Sequence, residues 1–584
     1  MILRDPPRSY DGGRGRRWIL ILLMFGWAVL SFAAVPRCDD TATERDNRSP
    51  DRWQQPLGLT PSDDDTNSTT SSPLPMDSIP ALLDALEVME SEFFEVWQGV
   101  WPESIDWTGA VLGTYVSAAL MTLSSAASYT VPQSPQSPTT NLNNEALAIE
   151  NLVNRYFTQV MGYYHGQDAF GLRNEAYDDM LWVVLGWLES IKFIKMHSSR
   201  HYPTKYTGTT EYDSYAWYGA QFIPALAHRA RIFYDIASQG WDTSLCGGGM
   251  VWNPYLRPYK NAITNELFIT ASVSMYLSFP GDSIAAPFME SSAVPPAKAH
   301  DPKYLAAALE AYKWLSTSNM TNAAGLFVDG YHVRRRNGTH NTQCDDRNEM
   351  VYTYNQGVLL SGLRGLWEST GARSFLDEGH ALIRAVIKST GFRDDTDESR
   401  RDQWAGLGRN GVLEEYCDAR GRCSQDAQTF KGIFFHHLSL FCTALPDIPR
   451  TPNRTYAASP DTARFHAAEC MSYQAWITHN AHAAYMTRNT EGKYGMWWGQ
   501  HASRQEAEDA PGGDIPEGAV DYRNQEDAAA AGTGLSSRGS SAASSDRAGK
   551  GGDVNDRGRG RTVETQGGGL AVLRAYHEIG QFSS

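Results

Sequence analysis

The sequence predicts an all-α fold in which six helical hairpins close into a ring, an α/α toroid. Apolar residues recur at spacings of three and four in about twelve stretches, whereas the alternation typical of half-buried strands is scarce. The same pattern suits a helical bundle or a solenoid, and the lack of fixed-period self-similarity disfavours the solenoid. Gly, Pro and Asn in the intervening segments predict where helices stop. The helices are expected near 80–97, 107–126, 144–160, 178–197, 215–238, 262–278, 303–317, 353–370, 374–390, 427–442, 461–487 and 566–579.

The N-terminal segment has the pattern of a secretion signal. Five arginines precede an uncharged apolar run over 18–35, and Ser31-Phe32-Ala33 suits cleavage. Residues 1–35 are therefore expected to be a signal peptide or an uncleaved signal-anchor. Either form predicts the secretory pathway, with the protein secreted or associated with the cell wall or cell surface. The expected glycosylation sites are Asn47, Asn67, Asn319, Asn337 and Asn453.

Two segments are too polar and too repetitive to predict packed helices. Residues 36–77 are rich in Asp, Ser, Thr and Pro and are expected to form a disordered stalk. Residues 502–562 contain an alanine run and repeated Gly, Ser, Asp and Arg, and we expect a low-complexity insert in a surface loop. The folded domain is thus predicted over 78–584, interrupted by that insert.

Cysteine spacing predicts a disulfide but no metal site. Of seven cysteines, Cys417 and Cys423 flank a turn-like segment and form the best candidate pair in an oxidising compartment. Cys246, Cys344, Cys442 and Cys470 have no readable connectivity. We find no zinc-ligand spacing and expect no cofactor.

Charge and aromatic content narrow the class of partner. The 584 residues carry a net charge of −16, which disfavours nucleic acid or an anionic membrane as the partner. The 17 Trp and 28 Tyr suit either a large core or a cleft where rings stack on sugars. A neutral polysaccharide meets no electrostatic barrier here. Membrane contact is expected only through an uncleaved N-terminal anchor, and we expect a monomer.

An adjacent carboxylate pair, Asp178-Asp179, precedes one of the most apolar predicted helices. Asp-Asp at a helix start is usually explained by capping and by the helix dipole. The alternative is chemical, because retaining glycosidases use two carboxylates about 5–5.5 Å apart, one as nucleophile and one as general acid. Two close like charges also raise one pKa, which supplies a protonated acid.

A set of ordered motifs surrounds this pair and resembles glycoside hydrolase family 76, the endo-α-1,6-mannanases and their fungal cell-wall relatives. The matching blocks are Trp107-Thr108-Gly109-Ala110-Val111, Tyr177-Asp178-Asp179-Met180-Leu181-Trp182, Cys246-Gly247-Gly248-Gly249 with Trp252, Tyr259-Lys260-Asn261-Ala262 with Asn265-Glu266-Leu267-Phe268, Thr353-Tyr354-Asn355-Gln356-Gly357, Gln428-Thr429-Phe430-Lys431-Gly432-Ile433-Phe434 and Glu564-Thr565-Gln566-Gly567-Gly568-Gly569.

The resemblance implies an (α/α)6 barrel and cleavage of internal α-1,6-mannosidic bonds of mannan with retention. It implies Asp178 as nucleophile and Asp179 as general acid/base, with the pair more secure than the two roles. The expected partner is α-mannan or a mannosylated glycan. Two alternatives stay open: a cell-wall transglycosylase on the same substrate, and a catalytically silent glycan-binding protein.

Other residues in these blocks suit sugar contacts, and each has a structural alternative. Polar side chains can bind sugar hydroxyls or cap a helix, and aromatic side chains can stack on a ring or fill the core. The predicted substrate-binding residues are Tyr177, Trp182, Trp252, Asn265, Tyr354, Asn355 and Gln356.

Overall fold

The computed structural model describes residues 76–131, 142–166, 175–203, 217–284, 296–334, 341–392, 402–502, 514–524 and 553–583. The predicted leader, nearly all of the stalk, and Asn47, Asn67 and Asn337 lie outside these residues. The α-helices within them are α1 Ser78–Glu92, α2 Asp106–Ala126, α3 Asn144–Gly166, α4 Tyr177–His201, α5 Ile223–Ala237, α6 Ala262–Ser278, α7 Pro302–Thr317, α8 Thr353–Thr370, α9 Ser374–Ser389, α10 Gln425–Phe441, α11 Pro460–Ser472, α12 Gln474–Met486 and α13 Val563–Gly580.

Six helices form a closed inner ring. Helices α2, α4, α6, α8, α10 and α13 each pack on the next, and α13 returns to α2. Outer helices lie against them: α1 against α13 and α2, α3 against α2, α5 against α4, α7 against α6, α9 against α8, and α12 against α13. Because outer and inner helices alternate along the described residues, these helices form six hairpins closed into a ring. The predicted (α/α)6 barrel is confirmed.

Burial differs between the two rings as their positions require. Inner helix α6 is buried without a break from Ala262 to Val273, as expected for a helix surrounded by protein. Outer helix α9 buries one stripe, at residues three or four apart. Inner helix α2 is long and apolar enough to cross a membrane, but most of it is buried inside the barrel.

Glycines allow the inner helices to approach closely. A Cβ added at Gly357 of α8 would lie 2.5 Å from the Cα of Phe434 in α10. A Cβ at Gly432 of α10 would lie 2.9 Å from the Cα of Gly568 in α13. The obstacle in both places is backbone, which cannot turn aside as a side chain can. Glycines of the family-like blocks thus bring neighbouring inner helices into contact.

We expect Gly357→Ala to destabilise the barrel by about 1–3 kcal/mol, because an extra methyl group would force the backbones of α8 and α10 apart. Gly580→Ala is the matched control, since a Cβ there meets nothing within 4 Å. Urea unfolding of both variants checks this expectation. Equal midpoints for the two variants would contradict it.

All six inner helices begin at one end of the barrel, the mouth. Near the starts of α2, α10 and α13, the Glu564 carboxylate accepts hydrogen bonds from Thr108 (2.8 Å) and Gln425 (2.8 Å). A three-stranded antiparallel sheet joins the segments that precede α6 and α8, and its strands are β1 Tyr259–Asn261, β4 Gly330–His332 and β5 Asp346–Asn348. Two-stranded pairs are formed by β2 Gly281–Asp282 with β3 Ala297–Lys298, and by β6 Gly408–Arg409 with β7 Val412–Leu413.

Three disulfides are present in the described residues. The predicted Cys417–Cys423 bond is confirmed, with an S–S distance of 2.01 Å. The pairs that spacing left open are Cys246–Cys344 and Cys442–Cys470. The Cys417–Cys423 and Cys246–Cys344 bonds lie in loops at the mouth.

Two parts of the range predicted as a low-complexity insert contact the barrel. In residues 514–524, the amide of Asn348 accepts a hydrogen bond from the Val520 N–H (2.7 Å) and donates to the Val520 carbonyl (2.9 Å). In residues 553–562, Arg561 donates to the carbonyl of Thr487 at 2.8 Å. These two stretches therefore belong to the folded domain, which their composition did not indicate.

Candidate active site

The adjacent aspartates lie in the first turn of inner helix α4, at the mouth. The residue that caps this helix is Ala176, so neither Asp178 nor Asp179 is the N-cap. The N–H of Tyr177 donates to the carbonyl of Trp252 at 2.9 Å, which connects the start of α4 to the loop that precedes α6. The pair is thus held where the backbone N–H groups of a helix start favour negative charge.

Asp178 is buried, with 3% of its surface exposed. Its Oδ1 has no hydrogen-bond partner among the described residues, and its Oδ2 lies 3.8 Å from the Nη2 of Arg523. Burial raises the pKa of Asp178 to about 6, against the lowering effect of Arg523. A buried carboxyl oxygen without a hydrogen-bond partner in the described part of the chain can meet a ligand.

Asp179 is less buried than Asp178, and two other acids, Asp178 and Glu175, lie beside it. Burial, then the charge of Asp178, then Glu175 raise the pKa of Asp179 well above its ordinary value. Burial likewise raises the pKa of Glu175, whose side chain hydrogen-bonds Asp179. The pKa values of both carboxyls are therefore raised, but by different neighbours: the charge of Asp178 opposes ionisation of Asp179, whereas Arg523 favours the charged form of Asp178.

Arg523 is the cation that faces this pair. Its Nη2 donates to the Tyr354 hydroxyl at 3.3 Å, and its Cζ lies 5.4 Å from the centre of the Trp252 ring. Tyr354 is itself fixed by stacking on Phe430, with ring centres 3.9 Å apart. A stacked and hydrogen-bonded guanidinium keeps one orientation.

Of the predicted substrate-binding residues, the structure brings Tyr177, Trp252 and Tyr354 to the Asp pair. Trp182 lies one turn deeper, is 4% exposed, and stacks on Trp107 with ring centres 5.7 Å apart. Its position is that of a core residue beneath the site.

Two predicted amides are already satisfied by backbone. Asn265 accepts from the N–H of Met250 (2.7 Å) and donates to the carbonyl of Asn261 (2.8 Å). Gln356 accepts from the N–H of Phe327 (2.8 Å) and donates to its carbonyl (2.9 Å). Both are completely buried, and the structure gives them the role of holding mouth loops. Asn355 differs, because neither polar atom of its buried amide has a partner among the described residues.

The glycine-rich loop at 246–249 is also structural. Gly249 has φ +91°, and a Cβ there would lie 2.6 Å from the Trp314 ring. The buried ammonium of Lys260 donates to the carbonyls of Gly248 (2.6 Å) and Gly249 (2.8 Å). The close approach that these glycines allow is therefore to Trp314 and not to an open cleft.

Exposed aromatic side chains lie on the rim near the pair. Tyr255 follows Trp252 in the same loop and is 69% exposed, and Tyr522 precedes Arg523 and is 38% exposed. The Tyr522 ring packs edge-on against His332, with ring centres 5.8 Å apart. Such rings can stack on sugars.

Sequence reasoning missed Glu175 and Arg523. Glu175 stands three residues before Asp178, but one acid beside two others has no distinguishing pattern. Arg523 lies inside the range predicted as an insert, and the only local signal is Tyr522, an aromatic residue beside charged ones in a stretch otherwise poor in rings.

Comparison with known proteins gives sequence matches to part of this chain. The sequence profile described as glycosyl hydrolase family 76 matches residues 224–508, a range that begins after the Asp pair and ends before Arg523. The mannan endo-1,6-alpha-mannosidase DFG5 of Saccharomyces cerevisiae is 25% identical over 215 residues, which are 35% of this chain and 37% of that protein. The chain thus spans less than half the length of this relative.

A longer match at lower identity is to the mannan endo-1,6-alpha-mannosidase DCW1 of Eremothecium gossypii. It is 20% identical over 429 residues, covering 66% of this chain and 82% of that protein. Among solved structures, Dfg5 from Chaetomium thermophilum in complex with glucosamine gives a TM-score of 0.49 at 14% identity, covering 88% and 93% of the two chains. The sequence profile and these relatives agree with the resemblance to glycosyl hydrolase family 76 that the motifs indicate.

Proposed function

We propose that this protein is a glycosidase that acts on internal α-1,6-mannosidic bonds of mannan, with retention through a glycosyl-enzyme intermediate. The observation that carries the proposal is the Asp178-Asp179 pair, which lies at the mouth of an (α/α)6 barrel with the two pKa values raised unequally. The mannan substrate is suggested by the relatives, which are named mannan endo-1,6-alpha-mannosidases.

The different environments of the two carboxyls suit two different catalytic roles, nucleophile and general acid/base. The Asp178 carboxylate attacks the anomeric carbon and forms an ester as the glycosidic bond breaks, and Asp179 gives its proton to the departing oxygen. Asp179, now a carboxylate, then takes a proton from an incoming water or sugar hydroxyl, whose oxygen displaces Asp178 from the sugar. Water gives hydrolysis, and a sugar hydroxyl gives transfer.

The rim aromatics supply platforms for neighbouring sugars. Trp252, Tyr255 and Tyr522 lie around the pair, and their ring faces suit the C–H groups of pyranoses. The Tyr354 hydroxyl, which Arg523 contacts, offers a polar group near the pair. We propose that a neutral mannan chain lies across this rim with one linkage at Asp178.

Incubation of the purified protein with α-1,6-mannan and a labelled α-1,6-mannotriose acceptor tests the proposal. New reducing ends indicate hydrolysis, and longer labelled products indicate transfer. The anomer formed first, read by NMR, should be the α-anomer of the substrate. Release of neither product, with mannotriose still bound, would replace this proposal with a silent glycan-binding protein.

We expect a bell-shaped dependence of kcat/KM on pH. The acid limb should lie near pH 6, because Asp178 must be ionised to attack and its pKa is raised to about 6 by burial. The alkaline limb should follow the loss of the Asp179 proton, at higher pH because burial and Asp178 raise that pKa further. Full activity maintained down to pH 4 would exclude these assignments.

The disulfides and the glycosylation sequons support a proposal about the compartment of the protein. Three disulfides suit an oxidising environment, and the sequon residues Asn319 and Asn453 are exposed in turns with φ of 54° and 62°. We propose an exported glycoprotein, active at the cell surface or in the wall as a monomer.

A further inference from the structure

Residues 514–524 form a strap across the barrel mouth, and hydrogen bonds hold it at Val520 and at Asn524. Asn348 clasps Val520 through both the N–H and the carbonyl. The Asn524 side chain accepts from the N–H of Ser424 at 2.7 Å, at the start of α10. The strap therefore bridges the segments that lead into α8 and α10.

Between these anchors, Asp521 binds two tyrosine hydroxyls. Tyr352 donates to its Oδ1 at 2.5 Å, and Tyr416 donates to its Oδ2. Asn524 also donates to Oδ2 at 2.8 Å, so the carboxylate is held from three sides. Asp521 is 7% exposed, which means that this polar network is buried. Arg523, two residues further on, has little freedom to move from the mouth.

We infer that Arg523, delivered by this strap, is a positioning residue that keeps the carboxylate of Asp178 charged and oriented for attack. The inference rests on the proposed function, and it adds to it a component from outside the range that matches the family profile, which ends at residue 508. Its basis is the 3.8 Å approach of the guanidinium to Asp178, and the fixing of that guanidinium by Tyr354 and Trp252.

The charges around Asp178 explain why a cation is needed. Asp179 lies beside it on α4, Glu175 just before α4 adds its charge next to Asp179, and the Tyr354 hydroxyl faces Asp178 from α8. Two more acids act on Arg523, namely Asp426 on α10 and Asp329 before β4, and Asp521 on the strap acts on Asp329. Without the guanidinium, a buried Asp178 among so many acids would take up a proton and lose its nucleophilic form.

The test is a direct titration of Asp178 in the full-length chain. Protein labelled with carboxyl ¹³C-aspartate is titrated, and the Asp178 signal is assigned by its absence in Asp178→Asn. We expect the midpoint in Arg523→Gln to rise by about one pH unit or more, the size of effect typical of an opposite charge at this distance. In Arg523→Lys a smaller rise is expected, since an ammonium cannot reproduce the planar fork.

Arg373→Gln is the matched control, because Arg373 is an exposed arginine paired with Asp377 at the start of outer helix α9. It should leave the Asp178 midpoint unchanged. The acid limb of kcat/KM on α-1,6-mannan should move up with the midpoint in the Arg523 variants only. Thermal unfolding of each variant identifies those that are folded, and if Arg523→Gln is not, the lysine variant decides.

An Asp178 midpoint that is the same in wild type and in the folded Arg523 variants would overturn the inference. A wild type without turnover, whose Asp178 midpoint still rises in Arg523→Gln, would overturn the proposed function and leave the positioning role intact. The two failures are therefore distinguishable.

Discussion

Asp178→Asn and Asp179→Asn should each remove nearly all activity on α-1,6-mannan. Loss of a nucleophile that acts with a partner costs on the order of 10⁴-fold or more in kcat, and loss of a general acid costs about 10²–10⁴-fold. The asparagine amide keeps the size of the carboxyl but can neither attack the sugar nor give up a proton. Initial rates of reducing-end release from mannan, measured for both variants and wild type, test this expectation.

Stability should move the other way in these variants. Both carboxyls have a folded-state pKa above the ordinary value, so the folded state binds more protons and loses stability as pH rises past the unfolded value of about 4. Replacement by a neutral amide removes that loss. Each variant should therefore unfold at a higher temperature than wild type at pH 7, and the difference should shrink below pH 4.

Asp377→Asn serves as the control, because Asp377 is half exposed on outer helix α9 and pairs with Arg373 away from the mouth. It should retain wild-type rates. If Asp178→Asn or Asp179→Asn retains them as well, the assignment of the pair is wrong.

The fold was predictable from sequence because its core elements are long and periodic. Helices α6 and α8 begin and end at the predicted residues, since an inner helix of a ring is enclosed by protein and carries apolar residues in nearly every turn. The predicted stretch at 461–487 is instead two helices, α11 and α12, separated at Tyr473. No Gly or Pro marks that break. Strands of two or three residues have too few positions to create a detectable alternation.

The candidate site was predictable only in part, for a physical reason. Residue type and order located the Asp pair and Tyr354, whose neighbours form recognisable blocks. Residue type alone cannot distinguish an amide that binds sugar from one that binds backbone. Asn265 and Gln356 hydrogen-bond backbone groups in the structure, so they are better explained as supports of loops. Arg523 reaches the pair through tertiary packing of a strap with an uninformative composition.

A second buried cation, Lys431, is connected to the candidate site by hydrogen bonds, and its removal should lower the free energy of unfolding. Lys431 of α10 lies 2.6 Å from the Asp418 carboxylate, with both side chains almost completely buried. The same Asp418 oxygen accepts from the N–H of Glu415 at 3.0 Å, and Glu415 in turn accepts from the N–H of Thr353 at 2.9 Å. Thr353 is the first residue of α8 and precedes Tyr354, so the ion pair is connected to the mouth through three contacts.

We expect Lys431→Met to destabilise the protein by about 3–5 kcal/mol, as breaking a buried pair from one side typically does. Burial already raises the pKa of Asp418, and also that of Glu415 to about 8, while Lys431 lowers both. Without the ammonium, these acids take up protons in the folded state. The loss of unfolding free energy in Lys431→Met should therefore be largest at neutral pH. It should be smaller near pH 4, where protonation of the carboxyls begins in the unfolded state as well.

Urea unfolding of Lys431→Met beside Lys388→Met, an exposed lysine on α9, measures the effect, and the control should change stability by no more than about 0.5 kcal/mol. The double variant Lys431→Met/Asp418→Asn should recover part of the loss, because it leaves no unpaired charge at this pair. A double variant as unstable as the sum of the two single variants would mean that the pair is not coupled. In that case the loss would reflect packing of the lysine stem against Trp498, whose ring centre lies 5.4 Å from Nζ, and the support of α8 would have to come from Glu415 alone.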